Sequence, residues 1–122
     1  MEVFREHYNV AMGNYALSQN VDGHKNIAIG HNALSYNTNG YENTSIGYES
    51  LLFNSTGYYN TAIGTGALQN NTTGYWNTAV GYWALINNTT AHSNTAIGLR
   101  SLYDNTTGHN NTGLGKMQWK EM

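Results

Sequence analysis

A glycine returns every 17 residues along this chain, at Gly13, Gly30, Gly47, Gly64, Gly81, Gly98 and Gly115, with no insertion or deletion between them. Each one closes a short apolar phrase: VAMG, IAIG, TSIG, TAIG, TAVG, TAIG and TGLG. A fixed period without slips means that each repeat is one rung of a stack, because only stacked neighbours demand identical spacing. Residues 1–122 are read as a single repeat domain of seven such rungs.

Aligning the rungs converts the sequence into columns. Every apolar phrase is preceded by asparagine, at Asn9, Asn26, Asn43, Asn60, Asn77, Asn94 and Asn111, and a second column holds Asn20, Asn37, Asn54, Asn71, Asn88 and Asn105. Asparagines stacked at a strand spacing of about 4.8 Å can chain their side-chain amides into a ladder, and asparagine also suits turns. Both columns are assigned to turns, as structural ladders. One apolar column holds Met12, Ile29, Ile46, Ile63, Val80, Ile97 and Leu114; another holds Leu17, Leu34, Leu51, Leu68, Leu85 and Leu102 and ends in Trp119. Each runs beside a column of small residues, Ala11 to Gly113 and Ala16 to Ser101. Adjacent strand residues point to opposite faces. If the alanines line the inside of a thin coil, both the Ile and the Leu columns emerge outside as a long stripe that calls for association with further copies. The opposite arrangement buries Ile and Leu in a single-chain coil. The multimer is the preferred reading.

The fold class is all-β. NTAIG is short, β-branched and bounded by glycine, which suits a strand, and no 3.6-residue apolar period persists across a rung. A second glycine column at Gly23, Gly40, Gly57, Gly74 and Gly108, broken by Ala91, predicts two short strands per coil. Seven rungs at about 4.8 Å give a rod roughly 34 Å long.

Composition removes several function classes. Net charge is −2, charged residues make up 10% of the chain, and Tyr, Trp and Phe number 10, 3 and 2, so the chain is not of the disordered type. No apolar run is long enough to span a membrane, and MEVFREHYNV does not read as a signal peptide. Five Lys and Arg without a cluster argue against nucleic acid. Cysteine is absent, so the redox compartment stays open.

The phrases NTAIGTGALQNNTTG, NTAVGYWALINNTT and NTAIGLRSLYDNTTG closely resemble repeats of bacteriophage tail-fibre proteins, many of which end in a self-cleaving intramolecular chaperone. They are also similar to head repeats of trimeric autotransporter adhesins, although those are usually shorter than 17 residues. The resemblance runs from about Tyr8 to Gly115. It implies a left-handed parallel β-roll, a homotrimer around an axis, and an extracellular or virion-surface fibre with an attachment role. The chain is then either a segment of a longer fibre or a stand-alone repeat protein.

An enzyme is not expected. Glu42 and Glu49 are the one close carboxylate pair, while Asp22 and Asp104 sit at distant turns. His7, His24, His92 and His109 share a column with Tyr41, Tyr58 and Tyr75, which reads as a ladder of rings, with no metal or other cofactor implied. The candidate ligand-binding residues are aromatic: Tyr58, Tyr59, Tyr75 and Trp76 at one corner, and Tyr82 and Trp83, with Tyr48, beyond the other glycine. Rings beside Asn and Thr suit a cell-surface glycan; the alternative is that they cover the roll or contact neighbouring chains. Threonine columns at Thr44, Thr61, Thr78, Thr95 and Thr112, and at the pairs Thr72–Thr73, Thr89–Thr90 and Thr106–Thr107, support a rival reading as an ice-binding solenoid. No charged residue lies between Glu49 and Arg100. Charges gather at the termini, with Glu2, Arg5 and Glu6 at one and Lys116, Lys120 and Glu121 at the other, which leaves a head-to-tail filament open. Asn54, Asn71 and Asn88 stand in glycosylation sequons, relevant only in a eukaryotic secretory setting.

Overall fold

A computed structural model describes residues 7–116. Trp119 and the charged residues Glu2, Arg5, Glu6, Lys120 and Glu121 lie outside the described residues. Each rung contributes one three-residue strand: β1 Val10–Met12, β2 Ile27–Ile29, β3 Thr44–Ile46, β4 Thr61–Ile63, β5 Thr78–Val80, β6 Thr95–Ile97 and β7 Thr112–Leu114. The seven form a single parallel sheet in sequence order, so the chain is an all-β parallel solenoid. Every strand pairs with the next at a shift of one repeat; Ser45 faces Ala62 and Ile46 faces Ile63. Among the described residues there is no helix.

Alternation along the strand works as strand geometry requires. Ala28, Ser45, Ala62, Ala79 and Ala96 point inward and are buried, while the flanking Thr and Ile positions are half-buried or exposed. The glycine that follows is fixed by two constraints. Gly47 has φ +136°, and a Cβ built on it would stand 2.7 Å from the backbone carbonyl of Gly64 in the next rung. A side chain there would strain the backbone and push the rungs apart.

The expected second strand is absent. In its place runs a series of turns in which backbone N–H groups alternate between two kinds of partner. Ala33, Ser35 and Asn37 donate to the carbonyls of Gly30, Asn32 and Leu34 three residues back, whereas Leu34, Tyr36 and Thr38 donate to Ser50, Leu52 and Ser55 of the next rung. This zigzag uses the left-handed backbone region at Leu34 (φ +51°), Leu51 (φ +48°), Leu68 (φ +52°) and Leu85 (φ +51°).

That conformation corrects the apolar stripe. A left-handed residue breaks the period of two, so Ala33 and Leu34 both face inward and both are fully buried. The Leu column is therefore the core, packed against both alanine columns. Only the Ile column lies outside, with Ile63 and Ile97 among its exposed members.

Asparagine fills the rest of the interior. Asn43 Nδ2 donates to the Gly57 carbonyl at 2.8 Å and to Asn26 Oδ1 at 3.1 Å, and Asn60 repeats this with Gly74 and Asn43. In the second column Asn54 Nδ2 donates to Asn37 Oδ1 at 2.8 Å and to the Gly57 carbonyl at 3.0 Å. Both columns thus lie inside the coil at its corners. A Cβ at Gly57 would sit 2.2 Å from Asn54 Oδ1, which explains the second glycine column. Among the described residues every buried side-chain polar atom has a partner.

Asn60→Ala removes the donor to Gly74 and the acceptor of the Asn77 N–H. At about 1–3 kcal/mol per orphaned buried group, the variant loses about 3 kcal/mol or more in urea unfolding. Thr61→Ala, one residue on and facing outward, changes stability by no more than about 0.5 kcal/mol in the same measurement.

Candidate functional site

Two corners of each rung carry the variable side chains. The first follows the second glycine column, where position follows position in a stack of rings. His24, Tyr41, Tyr58, Tyr75, His92 and His109 lie with centroids 4.7–5.0 Å apart and planes within 14° of parallel. The spacing is that of the rungs, so the ring normals run broadly along the solenoid axis. His92 and His109 face one another through their rings and His24 faces Tyr41, so the histidines do not converge on a point. Among the described residues no group of three or more His, Asp or Glu is arranged to hold a metal ion.

The next residue in each rung has φ between +51° and +60°, at Tyr8, Lys25, Glu42, Tyr59, Trp76, Ser93 and Asn110. This turns Tyr59 and Trp76 outward, 43% and 58% exposed. Tyr59 meets Tyr41 and Tyr58 at 80° and 78°, and Trp76 meets Tyr75 at 74°. Tyr59 and Trp76 are themselves near parallel, 22° apart with centroids at 6.5 Å. The structure thus brings Tyr58, Tyr59, Tyr75 and Trp76 together as one cluster.

Tyr82 and Trp83 form a separate cluster at the far end of the strand. Their rings stack at 4.6 Å, and the Arg100 guanidinium lies 4.8 Å from the Trp83 ring centroid and 5.5 Å from that of Tyr103. Beneath them, a Cβ at Gly66 would stand 2.6 Å from the Trp83 indole. Gly66 is the one glycine in its column and sits where the indole folds down. Sequence reasoning missed this packing, although that glycine stands one rung below the tryptophan. Tyr48 at the same corner stacks on His31 at 5.4 Å.

The polar candidates separate in the same way. Glu42 pairs with Lys25 at 3.5 Å at the first corner, and Glu49 accepts from Gln69 Nε2 at 2.7 Å at the second, so the two carboxylates do not face a common point. Thr72 and Thr89 donate their hydroxyls to the next rung's carbonyls, Thr89 and Thr106. Thr44, Thr61, Thr78 and Thr95 stand in register on the outer face of the sheet. Asn54, Asn71 and Asn88 are buried with their amides committed to the ladder, so the folded chain does not present these sequons.

Two phenols titrate above their ordinary range. Tyr58 is raised first by the desolvation of its packed position and then by the charges of Tyr41 and Tyr75. Tyr48 is raised by its hydrogen bond to Glu49 and by that carboxylate's charge.

No family model matches this chain, and no curated protein and no solved structure matches it.

A native pKa raised above the unfolded value gives stability that is complete below the ordinary phenol range and is lost as pH rises through the native value. Thermal melts therefore fall in alkaline solution beyond that range. Tyr58→Phe removes part of this pH dependence, and its absorbance titration loses a late-ionising phenol.

Proposed function

We propose that this chain is a non-enzymatic segment of a homotrimeric extracellular or virion-surface fibre that contributes to attachment. The observation that carries the reading is the outer face of the sheet. Val10, Met12, Ile27, Ile63, Ile97 and Leu114 are all exposed there, on one flat row of strands. Seven strands spaced by about 4.8 Å and three residues wide give a footprint of roughly 340 Å². The exposed Tyr48, Tyr82 and Leu99 extend that face on the side of the first glycine column. Apolar patches of a few hundred Å² are often functional, and here an unbroken apolar column runs up the stack beside a Thr column from β3 onward, a pattern that identical neighbours meet in the same register. The likeness of the repeats to tail fibres and adhesin heads supports three copies and a left-handed roll.

The in-register row Thr44, Thr61, Thr78 and Thr95 beside Ile46, Ile63, Val80 and Ile97 favours a second reading, in which the same flat face binds ice. Head-to-tail stacking of trimers into a filament is compatible with the first.

Sedimentation equilibrium separates these readings. The fibre reading expects three times the 13.5 kDa chain mass. Ile63→Glu combined with Ile97→Glu converts the trimer to a monomer with an unchanged β-type circular dichroism spectrum. A wild-type monomer with thermal hysteresis supports ice binding and sinks the fibre, and long polymers in negative stain identify a filament.

A further inference from the structure

The ring orientations at the first corner separate rings that support the fold from rings that can take a ligand. Tyr58 is covered on both faces, by Tyr41 at 4.9 Å and Tyr75 at 4.9 Å. Tyr41 lies in the same way between His24 and Tyr58, and Tyr75 between Tyr58 and His92. The edge contacts that these rings make with Tyr59 and Trp76 therefore put their edges against the faces of Tyr59 and Trp76. One face of Tyr59 and one of Trp76 is held in this way. Tyr59 and Trp76 remain 43% and 58% exposed, which leaves the opposite faces as their open side. The two rings stand 22° from parallel with centroids 6.5 Å apart.

We propose that Tyr59 and Trp76 form a carbohydrate platform that takes two consecutive pyranose rings of a linear, neutral glycan lying along the fibre axis. The proposal rests on the attachment reading above and names its ligand class. Three observations carry it. Outward aromatic faces are the element that stacks on the C–H face of a pyranose, and the edge contacts beneath hold them rigid, so little ordering entropy is lost on binding. The two rings stand 6.5 Å apart, so a single ligand chain can touch both. No charged side chain lies between Glu49 and Arg100 in the sequence, so these rungs offer nothing to a sulfated or carboxylated sugar. Glu42, paired with Lys25 at 3.5 Å, and Ser93, whose hydroxyl meets His92 Nδ1 at 3.2 Å, flank the two rings one rung to either side. The second corner offers no such site, because the Trp83 ring is already stacked by Tyr82 and Arg100.

The test uses the full chain with cello-, laminari-, malto- and manno-oligosaccharides of two to six units, read by isothermal titration and tryptophan fluorescence. One of these neutral series is expected to bind, the disaccharide more tightly than its monosaccharide. Trp76→Ala and Tyr59→Ala are each expected to weaken binding roughly tenfold or more. Trp76→Phe keeps most of the affinity, and Trp83→Phe leaves it unchanged. Each variant is first checked for wild-type circular dichroism and mass. Absence of binding by every neutral series at millimolar concentration overturns the proposal, as does unchanged affinity in a folded Trp76→Ala chain. If Trp76→Ala lowers the mass in solution, the rings are an interface between copies, and the platform fails while the fibre reading stands. A wild-type monomer that binds the sugar through Trp76 keeps the platform and removes the trimer.

Discussion

The buried asparagine ladder is the constraint on which the rest of this structure depends. A coil this thin has no room for a conventional core, and its corners must turn the backbone inward, where carbonyls would be left without water. Each Asn of the first column from Asn9 to Asn94 serves two of these groups at once. Asn60 Nδ2 reaches the Gly74 carbonyl, and Asn60 Oδ1 accepts the Asn77 N–H of the next rung. The second column repeats the device at the other corner, as Asn71 does with Asn54 and Gly74. Because every amide bridges rungs, one residue inserted or deleted in any rung would leave several buried groups unpaired at about 1–3 kcal/mol each. The strict period of the sequence is the record of that penalty.

The ladder also leaves the outer surface free to vary. Leu, Ala and Asn inside carry packing and hydrogen bonding, so outer columns hold Tyr, His, Lys, Glu, Trp, Ser or Arg in turn without altering the coil. One rung changes its interior at two places at once. Ser45 and Ser50 replace alanine in the same rung, where the Ser45 hydroxyl donates to the Ser50 carbonyl and the Ser50 hydroxyl to the Gly47 carbonyl, with the two oxygens adjacent. Two buried hydroxyls are thereby satisfied in a place where one alone would be costly.

The stack and its constant shift of one repeat were legible because they follow from spacing alone, while the inward alanines were the preferred of two arrangements and the parallel pairing came from the likeness to fibre repeats. The Leu column was not legible. Its reading assumed alternating faces, and the φ of +52° at Leu68 places Ala67 and Leu68 on the same side. Leucine is an unusual occupant of the left-handed region, so no residue preference announced it. The same gap removed the second strand, since the turns replacing it are built on those residues. At the candidate site the sequence gathered the right rings at each corner but could not orient them. Whether Tyr58 or Tyr59 turns a face to solvent depends on a dihedral angle, and only the stacking of Tyr58 between its neighbours decides it.

That dihedral angle links strain to display. Tyr8, Tyr15, Tyr59, Trp76 and Trp83 all have φ between +51° and +61°, where a non-glycine residue costs about 1 kcal/mol or more. Glycine would fit those positions without that penalty, and at Gly66 it does. Elsewhere the chain keeps a large side chain on a strained backbone, and ring contacts of about 0.5–1.5 kcal/mol, such as those of Tyr59 with Tyr58 and of Trp76 with Tyr75, are of the size needed to offset it. At the first corner the left-handed residues Tyr59 and Trp76 are carried out to 43% and 58% exposure, whereas those of the Leu column turn inward. The fold thus has, at two corners of each rung, a place where a bulky group stands outside the coil without disturbing the ladder. The rungs differ most where the coil needs them least, and the outward rings of Tyr59 and Trp76 stand at that place.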